Sequence, residues 1–308
     1  MKVMQVLFAY QGSESTDVAA GEKLLTHSID KVYELYILQL LFLVELLDAA
    51  RERIEEGRKK HLPTPEDLDP NLRFVNNAVL LALEASTALR KEQEQRRLYW
   101  RDHRELVRKL LGALRESEEF QAYMTGPVGD IKSDRAIVHL FYERFMLNDE
   151  HLLSIYEERS IHSANDAEQV AQMIERTIQS VKSAEMGSGL PLLPLYKDAK
   201  EDISFISDLF RKTLQRHEEN LKLIKVRTAN WETERLASTD LLLMEMALTE
   251  FVTLTEVPPK VSMNEYIEIA KEYSTPKSAN FINGILDSLL IDLRAKGLVR
   301  KEGKGLVE

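Results

Sequence analysis

A single stretch from Asp17 to Gly57 limits what this chain can become. Leu24, Leu25, Val32, Leu35, Leu38, Leu41 and Leu46 recur there at helical spacing, and Asp17 is a good N-cap. The spacing predicts one helix over about Asp17 to Gly57, long enough to span more than one packing unit. Little elsewhere would stop such helices: the 308 residues include 12 Gly and 9 Pro, about 7% against a typical ~12%. Within the long stretch, Leu35 to Leu47 is apolar except for Gln39 and Glu45. That is too short for a bilayer, which needs roughly 18 to 20 residues, so it reads as a buried helix segment.

Further helices are expected over about Leu72 to Arg115, with a break near Arg97, and over Asp134 to Leu147 and Asn165 to Ser183. Others follow near Lys197 to Val226, Glu234 to Leu254, Met263 to Tyr273 and Pro276 to Ala295. Pro63, Pro65 and Pro70 mark a loop, Gly126 to Gly129 a break, and Met186 to Pro194 the best domain boundary. This divides the chain into 1–194 and 195–308. No strand or internal repeat is evident, and the fold class is all-α. Two joints carry a stated chemistry. Ser262 to Glu265 reads as a capping box with Val261 as its staple, and Thr275-Pro276 as an N-cap followed by Pro at the first helical position.

Enzyme chemistry finds no foothold. The chain lacks GxGxxG, GxxxxGK[ST] and GxSxG motifs, and Gly187-Ser188-Gly189 sits in a loop before Pro191. None of the seven His residues follows a Glu by three positions, and Glu158 with His162 reads as a solvated helix pair. With no Cys, thiolate nucleophiles, disulfides and Cys-ligated zinc are excluded. No metal or cofactor is expected. No signal-peptide pattern is present, so the cytoplasm is the expected location and no membrane partner is expected. The net charge of −10 argues against nucleic-acid binding by bulk charge. Locally the balance differs: residues 90–115 hold nine basic side chains against four acidic ones, or +5, and 293–308 hold five against two, or +3.

From Asn230 onward a specific pattern emerges: Asn230-Trp231-Glu232, Arg235-Leu236, Asp240, Met246-Ala247-Leu248, Glu250, Val257-Pro258, Lys260-Val261 and Asn264-Glu265. Ala270-Lys271, Tyr273-Ser274, Lys277-Ser278 and Phe281 to Asp287 follow. This resembles the C-terminal half of the bacterial transcription antitermination factor NusB family, over about Asn230 to Leu293. Asp202 to Leu223 resembles that family's third helix more weakly, and Val3 to Tyr10 the end of its first. The middle, roughly Gly12 to Pro194, is far longer than the family minimum. The resemblance implies two packed helical subdomains without catalysis, the N-terminal one enlarged by a long helical insertion. It also implies binding to boxA RNA with NusE, a small-subunit ribosomal protein, in an antitermination complex on RNA polymerase. Two other readings stay open: a non-enzymatic helical scaffold in ribosome assembly, and an RNA-binding accessory domain of rRNA-modification machinery.

Residue by residue, the resemblance puts Tyr273, Lys277, Asn280 and Phe281 at or near the RNA surface. Lys277 and Ser278 would add a charge and a hydroxyl at the start of the last helix, while Tyr273 and Phe281 would offer faces for unstacked bases. The structural alternative is a well-capped helix with Phe281 in the core. Lys277 stands where some members carry Asp, which puts a base-specific role there in doubt. Lys2 and Gln5 are what this chain holds where the family has an Arg-rich arm, and the natural chain is expected to begin further upstream. Phe8 and Asp240 match positions that face NusE, or else are a core aromatic and a helix N-terminal charge. Asn283-Gly284, Glu265 and Trp231 are expected to be structural, Gly284 by letting two helices approach. Outside the resemblance, Arg90, Arg97, Arg101, Arg104, Arg108 and Arg115 fall within about 60° on a helical wheel. Arg97, Arg101, Arg104 and Arg108 are therefore either a solvated face or a further RNA surface.

Overall fold

A computed structural model describes residues 1–13, 16–160, 163–182, 190–228 and 237–306. Among these residues there is no strand, and fourteen α-helices account for the order of elements. They are α1 (Lys2–Gly12), α2 (Val18–Arg58), α3 (Pro65–Leu68), α4 (Ala78–Ala85), α5 (Thr87–Arg96), α6 (Arg104–Glu116) and α7 (Glu118–Thr125). After them come α8 (Ile131–Phe141), α9 (Glu150–Arg159), α10 (Ser163–Ser180), α11 (Ala199–Arg227), α12 (Ser238–Thr253), α13 (Pro259–Tyr273) and α14 (Ser278–Ala295). No described helix is long and apolar enough to cross a membrane. Trp231, His162 and Gly187 to Gly189 lie outside the described residues.

The chain forms two compact units, one of Met1–Ser28 with Tyr196–Glu308 and one of Ile29–Leu195. The division differs from the one expected at 194 in that the first 28 residues fall with the C-terminal unit. The reason is packing. Helix α1 buries Val3, Met4, Val6 and Leu7, at helical spacing, and lies against α11 and α12. The first turns of α2 contribute Leu25, which is buried, and Glu22, which accepts from Arg211 Nη2 at 2.6 Å. Gly21 meets Phe210 so closely that a Cβ there would stand 2.6 Å from the ring. Asp17 caps the helix, its Oδ1 accepting from Ala20 N–H at 3.0 Å.

In the unit Ile29–Leu195, α2 is the central rod. From Leu35 to Leu47 every residue except Val44 and Glu45 is buried, so this segment is enclosed on nearly every side. Phe42 meets Trp100 edge-on at 4.8 Å and stacks with Phe141 at 6.4 Å. Several polar groups in this core are paired: Trp100 Nε1–H donates to the Leu38 carbonyl at 2.9 Å, and Tyr142 O–H to Gln39 Oε1 at 2.7 Å. Tyr36 OH lies 2.7 Å from Thr177 Oγ1.

The stretch expected to be helical over 72–115, with a break near Arg97, is three α-helices. Asn77 caps α4 through Val79 and Leu80 N–H, and Ser86 caps α5 through Leu89 N–H. Arg97 ends α5 in the left-handed conformation, φ 53°, with Leu98 N–H returned to the Gln93 carbonyl. Helices α7 and α9, capped by Ser117 and Asp149, were not expected.

In the other unit, α13 packs between α12 and α14. It begins at Pro259, not Met263, so the Ser262–Glu265 capping box is not formed. Ser262 is instead inside the helix, donating to Glu250 Oε1 at 2.6 Å, while Tyr266 O–H takes Glu250 Oε2 at 2.7 Å. Val261, the expected staple, is exposed. Lys301 Nζ donates to the carbonyls of Glu250 and Leu254 at 3.0 and 2.7 Å, closing the C-terminal end of α12. Gly284 is exposed, and a Cβ there would meet nothing within 4 Å, so it does not bring two helices together. Asn283 is exposed beside it.

Two substitutions test this packing. Leu43→Ala, in the enclosed part of α2, should cost about 2–5 kcal/mol in urea unfolding; a loss below about 1 kcal/mol would contradict the enclosure. Gly284→Ala should instead stabilise by about 0.5–1 kcal/mol, since an exposed helical glycine carries only its entropic cost. A loss of stability there would reveal a close neighbour.

Candidate nucleic-acid interface

The candidate site is built on the connection from α13 to α14. Helix α13 ends at Tyr273, and Ser274 is extended, φ −134° and ψ −166°. Ser278 N–H then donates to the Thr275 carbonyl at 2.9 Å, closing a four-residue turn with Pro276 in its second position. Proline fits there because its ring presets φ and the turn asks no N–H of it. Helix α14 therefore starts at Ser278, two residues later than expected, with Lys277 as its N-cap. Thr275 is not that cap.

Under the turn lies Asp240, the third residue of α12, 5% exposed. Ser274 O–H donates to its Oδ1, and Ser278 O–H to its Oδ2 at 2.7 Å. A hydroxyl has one proton to give, so Thr275 O–H supplies the 2.8 Å bond to Ser278 Oγ. Both Asp240 oxygens are thus taken by hydroxyls from either side of the turn.

These bonds place two of the expected site residues. Ser278 is 4% exposed and its hydroxyl is committed to Asp240, so it is not offered to a phosphate. Asp240 is buried beneath the turn, not presented to a partner protein. Neither was legible from local sequence, because the bonded residues stand 34 and 38 positions apart.

The remaining residues of the turn are differently placed. Lys277 and Asn280 are exposed and Phe281 is half-buried, all three within the first turn of α14 or its cap. Half-buried Tyr273 is joined to α1 across 268 positions, its OH accepting from Gln5 Nε2 at 3.2 Å. The same hydroxyl reaches Met1 Sδ at 2.9 Å. Lys2 is half-buried on α1, and Phe8 is 48% exposed on the same helix. The structure thus unites Gln5 and Tyr273, presents Lys277 and Asn280, and withdraws Ser278 and Asp240.

The arginine stripe is not one face. The left-handed Arg97 and the non-helical Leu98 to Trp100 interrupt the wheel on which it was drawn. Arg104 Nη2 pairs with Glu52 at 3.1 Å, and Arg108 Nη2 with Glu52 and Glu56 at 3.2 and 3.0 Å. Arg101 lies over the Tyr99 ring at 4.7 Å. The local positive charge is therefore interleaved with carboxylates of α2, which weakens any field it could direct at a nucleic acid. No group of three or more His, Asp or Glu side chains among the described residues could hold a metal ion.

The NusB family model matches residues 148–290, which include Asp240 and the whole turn. The transcription antitermination protein NusB of Salinibacter ruber is 43% identical over 147 residues, covering 47% of this chain and 91% of that protein. The protein of the same name from Chloroherpeton thalassium is 44% identical over 104 residues, covering 34% of this chain and 49% of that protein. For Koribacter versatilis the figures are 41% over 101 residues, 32% and 69%. No solved structure gives a significant match. With one relative matched over nine-tenths of its length at such identity, the chain belongs to the NusB family.

Proposed function

We propose that this chain acts in transcription antitermination on ribosomal RNA operons, binding boxA-type RNA together with a NusE-type small-subunit ribosomal protein. The complex would act on RNA polymerase, and the chain itself would perform no chemical step. Its relatives are named transcription antitermination proteins, which supports the general role. The observation that carries the RNA reading is the placement of exposed Lys277 and Asn280 next to Tyr273, itself tied to Gln5 of α1.

Each side chain has a physical task in this reading. Lys277 is a point charge for a phosphate, and phosphate contacts position a strand without reading its sequence. The Asn280 amide has donors and an acceptor for a base edge. Tyr273 and Phe281 offer partly accessible rings on which unpaired bases stack, at about 1–3 kcal/mol per base. Gln5 supports Tyr273 from α1, and Lys2, whose Nζ is buried there, would have to turn outward to reach a phosphate. Phe8, an exposed aromatic on that helix, would anchor the protein partner. A net charge of −10 is compatible with such a site, because a few local contacts carry the affinity.

The test is a boxA RNA titration across salt concentrations, with and without the NusE-type partner. Lys277→Gln should weaken binding and make the log-log salt slope shallower by about 0.7, the loss of one phosphate contact on a single strand. An unchanged slope and affinity would remove the turn from the RNA surface. Partner binding without any RNA binding would instead favour the ribosome-assembly scaffold.

A further inference from the structure

We infer that Asp240 is a positioning residue for the RNA-facing turn, an inference that rests on the RNA-binding reading just proposed. The carboxylate touches no exposed surface of consequence, being 5% exposed, yet its two oxygens bind the two ends of the segment that carries Lys277. Ser274 holds the end of α13 and Ser278 the first residue of α14. Between them only Thr275, Pro276 and Lys277 remain, and the Ser278 N–H to Thr275 carbonyl bond closes their backbone. The segment is therefore pinned at both edges by one rigid planar group.

A buried carboxylate needs compensation, and here it comes from two sources. Two hydroxyl donors satisfy its oxygens. It also lies in the first turn of α12 and against the first residue of α14, so its charge opposes the positive ends of two helices. The chain's own carboxylate consequently lies against the start of α14 through the Ser278 hydroxyl. Recognition of RNA then falls to the side chains that the turn presents, Lys277 and Asn280, and depends on how firmly the turn is held.

The test combines Asp240→Asn with Lys277→Gln in a double-mutant cycle on boxA RNA affinity, alongside hydrogen exchange of the free protein. Asparagine keeps the shape but has one accepting oxygen, so one serine hydroxyl loses its acceptor. Asp240→Asn should weaken RNA binding by about three- to tenfold, the worth of a hydrogen bond, with the salt slope unchanged because no phosphate contact is removed. Lys277→Gln should then cost less in the Asp240→Asn background than in the parent chain. Amides 277–280 should exchange faster in the variant while those of α1 and α11 do not.

Additive effects in the cycle, or unchanged exchange at 277–280, would overturn the positioning role. If Asp240→Asn does not fold, Ser274→Ala removes a single hydroxyl and should show the same coupling and the same local exchange. A parent chain that binds no RNA would sink the RNA reading, while the exchange measurement would still decide whether Asp240 holds the turn.

Discussion

The enclosure of α2 governs the rest of the inserted unit. A helix with Tyr36, Ile37, Leu38, Leu40, Phe42, Leu43 and Leu47 pointing in nearly all directions cannot rest on a surface, since burial of each such side chain is worth roughly 1.5–3 kcal/mol. It needs neighbours all round. Phe42 finds Trp100 and Phe141, Gln39 finds Tyr142, and Tyr36 finds Thr177. Residues 29–195 thus form a body with its own core, not a lengthened loop on a smaller protein. Helix α1 and the first turns of α2 belong to the other unit, which the insertion divides in sequence.

In that other unit the determining group is the Asp240 carboxylate. It joins α12 to the α13–α14 turn, and Glu250 does the equivalent toward α13 through Ser262 and Tyr266. Two buried acids on one helix thereby set the course of the two helices that follow. In the proposed RNA complex the contacts fall to exposed Lys277 and Asn280, while the buried side chains below them are committed to the protein. It is this division of labour, and not net charge, that would let a chain of −10 take an RNA partner.

Much of this was readable in advance, for identifiable reasons. Helix α2 announced itself by apolar spacing and a cap at Asp17, and α11 to α14 by amphipathic runs. Helices α7 and α9 are only 8 and 10 residues, too short for periodicity to stand out. The stretch 72–115 shows no break in its sequence before Arg97 because the caps Asn77 and Ser86 interrupt it without glycine or proline. Ser262 and Glu265 have capping-box spacing, but Pro259 starts the helix first and Glu250 claims the serine. Pairs distant in sequence were invisible altogether: Arg104 and Arg108 with Glu52, Asp240 with Ser278, Gln5 with Tyr273. The positions of Lys277 and Asn280 came from the resemblance, and their exposure from the fold.

The most direct measurement is photo-crosslinking of a 4-thiouridine-substituted boxA RNA to the full chain, with peptide mapping of the adducts. Adducts are expected on the peptide holding Tyr273 to Phe281, with weaker ones on α1. Adducts confined to residues 29–195, with none between 273 and 281 while RNA is bound, would contradict that expectation.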